Sequence, residues 1–256
     1  MSKRNAFDAL DPEILDRVVS RRDAFRKAGN VAGAVALASM PIAFAVMAKD
    51  AFAQGMPADV TGVLNFALTL EYLEDEFYRT GLATSGLIAA ENLPVFQQIS
   101  KHETSHVALL QSALGASAVA KPTFDFTAGG AFDPFGDPVQ FLALAQGFED
   151  TGVRAYKGQA GNLISDGATL TTALRIHSVE ARHASEVRRI RGFKGWITNS
   201  EVDVPALAAV YAGEDNRTQA GVDISGLGTA AAVSEAFDEP LTQDEVLAIA
   251  GQFIVA

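Results

Sequence analysis

A polar pattern that occurs twice constrains the fold of this chain more than any other feature. In each copy a single glutamate on an apolar segment is followed by a Glu-x-x-His pair on the next segment. The two glutamates are 32 residues apart in the first copy and 31 in the second. The residues of the two copies are Glu71, Glu103 and His106, then Glu149, Glu180 and His183. Since residues three apart share one face of a helix, both pairs point two side chains the same way.

The segments that carry this pattern predict four long helices. Apolar residues recur every three or four positions over about 58–80, 93–114, 137–164 and 168–195, which is typical of helices in a bundle. Short connections follow the first and third segments and suit antiparallel neighbours. The connection over 115–136 is long enough to run the length of a bundle. Two hairpins joined by one long crossover are the ferritin-like arrangement, so we predict an all-α, ferritin-like four-helix bundle.

The N-terminal 53 residues are predicted to be a Tat-type signal region. A twin arginine, Arg21 and Arg22, precedes an apolar stretch over 31–48 and the small-x-small pattern Ala-Phe-Ala at 51–53. The Tat route exports folded proteins, so we expect a periplasmic or otherwise exported protein with no membrane attachment after cleavage. A retained membrane anchor is the alternative. The stretch is rich in alanine and glycine and contains a proline, so it would insert weakly.

Composition excludes several classes of function. Residues 54–256 hold 12 Lys/Arg and 25 Asp/Glu, a net charge of −13, which argues against nucleic acid and anionic membranes as partners. The chain has no cysteine, which rules out disulfides, zinc–thiolate sites, iron–sulfur clusters and thiol catalysis. An exported protein without disulfides depends for its stability on core packing or on bound metal.

We predict that residues 54–196 form the bundle and that residues 197–256 form a C-terminal extension packed on it. The extension contains a possible extended piece near 221–224 and two short helices. The last of these begins at a capping-box pattern, Thr242 followed by Glu245. The core of this extension is too small for it to fold alone.

The six residues of the repeated pattern are predicted to hold two metal ions. A buried, isolated carboxylate costs several kcal/mol, so four of them inside an apolar bundle require positive charge. Two divalent cations supply it, and one histidine for each ion completes a site with open positions. Carboxylate and imidazole ligands suit iron or manganese without distinguishing between them. Alternatively these are surface charges or internal ion pairs, but they stand where leucine is expected.

Five further polar residues lie near this pattern. Tyr78 and Tyr156, each seven residues after a single glutamate, are predicted to bond to ligand carboxylates and orient them, or only to pack. His177 is predicted to support the site or to be an extra ligand, and a surface or core histidine is its alternative. His102 is off the apolar stripe and is expected to be exposed. Glu74 is expected on a solvated face together with the two acidic residues after it, and is the alternative first-helix ligand.

Five segments together resemble a known family. They are LNFALTLEYLEDEFY (64–78), KHETSHVALLQSALG (101–115), GFEDTGVRAYKG (147–158), HSVEARHASEVR (177–188) and FDEPLTQDEVLAIAGQFI (237–254). They are similar to ferritin-like domain proteins that include the plant desiccation-related proteins. The resemblance implies the ferritin-like fold and, by position, the same six metal ligands, but little about activity. Wider relatives include rubrerythrins, bacterioferritins and manganese catalases, and this chain lacks the cysteine module of rubrerythrins.

Two functions remain open at this point. The first is an exported di-metal protein that reacts with oxygen or peroxide, an oxidoreductase of peroxidase, catalase or ferroxidase type. The alternative is a non-catalytic, metal-stabilised protein that protects against stress or desiccation. A bundle that keeps the carboxylates without metal is a third interpretation, and a homodimer is a further hypothesis for the assembly.

Overall fold

The computed structural model describes residues 58–255 as a four-helix bundle with a C-terminal extension. The bundle helices are α1 (Ala58–Ala83), α2 (Leu93–Leu114), α3 (Pro138–Gln159) and α4 (Gly167–Ile190). Helix α1 packs mainly against α2, and α3 mainly against α4, so the two hairpins are the main packing units. The predicted all-α bundle with one long crossover is confirmed.

Two helix ends differ from the prediction. Helix α3 ends at Gln159 because the chain tightens into a 3-10 helix over Ala160–Leu163. Helix α4 ends at Ile190, and the chain turns at Gly192, whose φ of 82° lies in the left-handed region that favours glycine.

The predicted signal region, residues 1–53, lies outside the described residues. None of the helices within 58–255 combines the length and the apolarity that crossing a membrane requires.

Capping residues set where the second hairpin begins. Asp137 accepts a hydrogen bond from the backbone amide of Val139, and Pro138 occupies the first turn of α3. Asp166 accepts hydrogen bonds from the amides of Ala168 and Thr169 at the start of α4. Such caps satisfy amides that have no partner inside the helix. They therefore fix the residue at which each helix begins, and with it the side chains that point into the bundle.

The crossover between α2 and α3 contains a 3-10 helix (Gly115–Ser117) and a short strand, β1 (Thr123–Phe124). The C-terminal extension follows α4. Its elements are a 3-10 helix (Pro205–Tyr211), β2 (Thr218–Gln219), β3 (Val222–Asp223), a 3-10 helix (Ser225–Leu227), α5 (Ala230–Ser234), α6 (Gln243–Ala250), a 3-10 helix (Gly251–Phe253) and β4 (Ile254–Val255). The two short helices are present as predicted, and the extended piece near 221–224 pairs as β3 with β2.

The end of the chain is attached to the crossover. Strand β4 pairs antiparallel with β1, and the amide of Asp125 donates to the carbonyl of Phe253 at 2.8 Å. The ring of Phe253 lies edge-on to Phe148 of α3, with centroids 4.9 Å apart. The predicted capping box of Thr242 and Glu245 is present at the start of α6. Val246, Ile249 and Phe253 thus join the main core of the bundle.

A buried arginine also fastens the extension to the bundle. Arg154 of α3 is 1 % exposed, and its Nε lies 2.9 Å from Oε1 of Glu214. Its guanidinium donates to the carbonyl groups of Val210, Ala212 and Glu239 as well. Since an arginine fork can serve several acceptors at once, this one side chain binds two segments of the extension, 210–214 and the chain at Glu239.

The contact of Gly158 with the extension yields a stability prediction. A Cβ at Gly158 would lie 1.9 Å from the carbonyl oxygen of Leu241, which is backbone and cannot rotate away. We expect Gly158→Ala to lower the free energy of unfolding by about 1–3 kcal/mol, as overpacking does, measured by urea denaturation. Gly161→Ala is the control, because nothing lies within 4 Å of its added Cβ. Equal stability of the two variants would contradict the prediction.

Candidate metal centre

The structure places all six residues of the repeated pattern together in the bundle interior. Each helix contributes at the same depth, α1 and α3 with one glutamate and α2 and α4 with a Glu-x-x-His pair. The four carboxylates are fully buried, and the two histidines are 8 % and 5 % exposed. The residues are Glu71, Glu103, His106, Glu149, Glu180 and His183.

These residues form two overlapping groups, each able to surround one ion. The first group is Glu71, Glu103, His106 and Glu180, and the second is Glu103, Glu149, Glu180 and His183. Within each group one ligand atom per residue lies within 4.8 Å of all the others. Glu103 and Glu180 belong to both groups. The arrangement is therefore two adjacent positions with two carboxylates in common.

Around His106 the donors converge on one point. Its Nδ1 lies 3.0 Å from Oε1 of Glu180, 3.1 Å from Oε2 of Glu103 and 3.2 Å from Oε2 of Glu71. One N–H group cannot make good hydrogen bonds to three carboxylates at once. Four donor atoms at this spacing surround a point that suits a cation.

The other position has the same arrangement. Nδ1 of His183 lies 2.9 Å from Oε1 of Glu103, 3.2 Å from Oε2 of Glu149 and 3.5 Å from Oε2 of Glu180. Each imidazole thus faces three carboxylate oxygens through its Nδ1 atom.

Several of these atoms lack a hydrogen-bond partner among the described residues. They are Oε1 of Glu103, Oε2 of Glu149, both carboxylate oxygens of Glu180, and Nδ1 of His183. The contacts are short, but the ring N–H does not point along them. A buried polar atom without a partner costs about 1–3 kcal/mol, and a charged one costs more. A bound cation would satisfy all five atoms, and oxygen and imidazole donors suit iron or manganese.

The carboxylates differ in protonation. Burial raises the pKa of Glu71 to about 8, and burial also raises the pKa of Glu149 well above its usual value. Burial acts in the same direction on Glu103 and Glu180, but the two histidines close to them outweigh it and lower both pKa values. Without metal, the two shared carboxylates therefore lose their protons more readily than the two unshared ones.

The pKa of each of the two histidines lies above its usual value. Burial alone would lower the pKa of each ring. The carboxylates that face each ring, Glu71 foremost at His106 and Glu149 foremost at His183, outweigh burial and raise both pKa values. Each ring therefore keeps its proton to a higher pH than a free imidazole does.

This charge state predicts that metal binding releases protons. A ligand histidine must be neutral and a ligand carboxylate must be ionised. At pH 7 we expect two ions to displace one proton each from His106, His183, Glu71 and Glu149. Since protons compete with metal below each raised pKa, metal affinity should fall as the pH falls below about 8, the pKa of Glu71. Calorimetric titration in two buffers of different ionisation enthalpy measures the release, and a binding heat independent of buffer would contradict it.

Two tyrosines bond across the bundle to the unshared carboxylates. The hydroxyl of Tyr78 on α1 donates to Oε1 of Glu149 on α3 at 2.6 Å. The hydroxyl of Tyr156 on α3 donates to Oε1 of Glu71 on α1 at 2.5 Å. In both carboxylates this leaves Oε2 as the oxygen that faces a histidine. The two contacts are reciprocal between the hairpins, and of the two alternatives for these tyrosines they favour bonding to carboxylates over packing alone.

His102 is not exposed as predicted. It is half-buried, and its Nδ1 lies 2.8 Å from Nε2 of His183, with the rings stacked at 5.1 Å between centroids. A contact on Nε2 leaves Nδ1 of His183 as the atom that faces the carboxylates. Because His102 lies on α2 and His183 on α4, their positions in the sequence could not predict this contact.

His177 lies outside both ligand groups, and two of the acidic residues after Glu71 are buried instead of solvent-exposed. His177 belongs to neither group, and its buried Nε2 has no hydrogen-bond partner among the described residues. Glu74 and Asp75 are buried, so the predicted solvated face is wrong for both. Asp75 pairs with Arg79 and accepts a hydrogen bond from Thr104, which is why it leaves the solvent.

Comparison with known proteins agrees with the geometry. The family model described as "Ferritin-like domain" matches residues 59–192, which covers α1 to α4 and all six clustered residues. No curated protein matches the chain. The match does not distinguish the desiccation-related branch, which stays a prediction. Because the matched segment is more than half of the chain and coincides with the observed bundle, this protein belongs to the ferritin-like domain family.

Proposed function

We propose that the chain binds two iron or manganese ions in adjacent positions in the bundle. The observation that carries this proposal is that Glu103 and Glu180 belong to both ligand groups. These two carboxylates would help to hold both ions, and their negative charge would offset the repulsion between the two cations. The four ionised carboxylates of the two groups neutralise two divalent ions.

We further propose that the bound ions react with oxygen or peroxide. Bound iron or manganese supplies electron exchange with small oxygen species at open coordination positions. The protein limits what can reach them, because every ligand is buried and even the most exposed ligand side chain, that of His106, is only 11 % exposed. Tyr78 and Tyr156 hold the unshared carboxylates in place. An enclosed site of this kind suits a reactant with two non-hydrogen atoms, such as oxygen or hydrogen peroxide, better than an organic substrate.

Export and assembly are further parts of the proposal. The twin arginine and the Ala-Phe-Ala pattern within residues 1–53 support the Tat route and a periplasmic location. Export after folding would let the chain take up its metal in the cytoplasm. The homodimer stays a prediction.

Metal content together with turnover tests the proposal. Protein purified from its native export route should contain two ions per chain by mass spectrometry. The loaded protein should consume peroxide or oxidise added ferrous iron, and a Glu180→Gln variant should do neither. A chain that carries no iron or manganese would exclude the metal site. A loaded chain inert toward both reactants would exclude the oxidoreductase function alone.

The enclosed site also supports the alternative, a metal-stabilised protective protein without turnover. Here the metal would serve stability, since a ligand that binds only the folded state raises the free energy of unfolding. The resemblance to desiccation-related proteins supports this as well. Chelation would then lower the melting temperature with no activity to lose, whereas an oxidoreductase would lose both.

A further inference from the structure

Glu74 is a fifth buried carboxylate beside the six clustered residues. It lies on α1 one turn after Glu71 and is 3 % exposed. Among residues 58–255 no group donates a hydrogen bond to its carboxylate, and no basic side chain pairs with it. Burial, and after it the charges of Glu180 and Glu149, raise the pKa of Glu74 well above its usual value. A buried polar group without a partner calls for a physical explanation.

The space for Glu74 comes from a glycine on the facing helix. A Cβ at Gly152 of α3 would lie 3.3 Å from Oε1 of Glu74 and 3.9 Å from Oε2 of Glu180. The carboxylates of Glu74 and Glu180 therefore flank the same bare stretch of backbone. Any side chain at position 152 would crowd one or both of them.

The repeated pattern of the two hairpins differs at this position. Helix α1 carries glutamate, glutamate and tyrosine at positions 71, 74 and 78. Helix α3 carries glutamate, glycine and tyrosine at positions 149, 152 and 156. The outer two residues are repeated, and their hydrogen bonds are reciprocal. Of these three positions only the middle one differs: it carries a carboxylate in α1 and no side chain in α3.

The surroundings of Glu74 indicate which of the two positions it serves. The oxygen of Glu180 nearest to Gly152 is Oε2, which is the one that faces His183. This contact places Glu74 beside the group of Glu149 and His183. Glu74 is outside the 4.8 Å groups in this conformation, so it would reach an ion by turning its side chain toward Glu180.

We propose that Glu74 is a seventh ligand, which binds the ion held by Glu149, Glu180 and His183. The inference rests on the proposed function, since it requires the two ions. It makes the positions unequal: one ion has an additional carboxylate and binds more tightly, and the other does not. Five carboxylates against two divalent ions also leave one excess negative charge, which favours a more highly charged ion at this position.

Titration of the metal-free chain with Co²⁺ tests this inference through stepwise affinities and the visible absorption of the bound ion. The wild type should bind two ions in two separate steps. Glu74→Gln should weaken the tighter step by about tenfold or more and change its absorption, with the weaker step and the stoichiometry of two retained. Glu76→Gln is the matched control, because it removes one charge from the same helix at a residue that pairs with Lys121.

A second variant acts on the same carboxylate without altering it. Gly152→Ala crowds Glu74 and approaches the shared ligand Glu180, so it supports the inference only if it weakens the tighter step and leaves the weaker one unchanged. If the wild type binds two ions and both variants titrate as the wild type does, Glu74 is not a ligand and the two-ion site stands. If the wild type and the Glu76→Gln control bind no Co²⁺ in the bundle, the proposed function fails and this inference fails with it.

Discussion

Replacing Glu180 with glutamine is expected to remove both metal ions, whereas the same replacement at Glu149 removes one. Glu180 lies between the two positions, with Oε1 3.0 Å from Nδ1 of His106 and Oε2 3.5 Å from Nδ1 of His183. Glu149 faces His183 alone. Since even residues that only orient a ligand change metal affinity by 10- to 100-fold, loss of a shared ligand should lower affinity at both positions by at least about a hundredfold.

Metal content after gel filtration measures this difference as ions per chain. We expect two ions in the wild type, one in Glu149→Gln and none in Glu180→Gln. Glu186→Gln on the exposed face of α4 is the control and should retain two. Circular dichroism shows whether each variant keeps its helices. An equal loss of ions in the Glu149 and Glu180 variants would show that the ions do not share Glu180.

The second large effect concerns stability. Arg154→Met should lower the free energy of unfolding by about 3–5 kcal/mol, because it leaves the buried Glu214 carboxylate without its cation. For a chain of this size that corresponds to a melting temperature lower by about 6–20 °C. The side chains of Arg154 and Glu214 are 1 % and 0 % exposed, so water cannot replace the lost partner. Urea denaturation and thermal unfolding measure the change.

A double variant separates loss of the pair from loss of packing. Breaking a buried ion pair on one side is more harmful than replacing both partners. Arg154→Met with Glu214→Gln should therefore recover part of the stability that Arg154→Met loses. A loss below about 1 kcal/mol in the single variant would place this pair with ordinary surface ion pairs and would contradict its role in fastening the extension.

Helix periodicity explains why much of the site could be predicted. Spacings of three and seven residues place side chains on one face of a helix whatever surrounds it. The residues on the inward faces could therefore be named from spacing, and so could the tyrosines that bond to Glu71 and Glu149. The capping box at Thr242 is equally local, because all its hydrogen bonds lie within four residues.

Contacts between elements could not be predicted in the same way. His102 lies at the edge of the apolar stripe of α2, and only the approach of α4 brings His183 against it. Glu74 is buried because residue 152 on another helix is a glycine. The pairing of β1 with β4 joins residues at least 130 positions apart in strands of two residues, too short to show a period.

The amino-acid sequence by itself determined four helices, their hairpin connectivity and the six polar residues on their inward faces. Helical hydrogen bonds run between residues four apart, so the orientation of each face is a local property. Tertiary structure alone decided the rest: the two carboxylates common to both groups, the histidine behind His183, the asymmetric carboxylate Glu74 and the attachment of the extension through Arg154. These depend on the distance and angle at which helices pack, which side chains from the whole bundle set together.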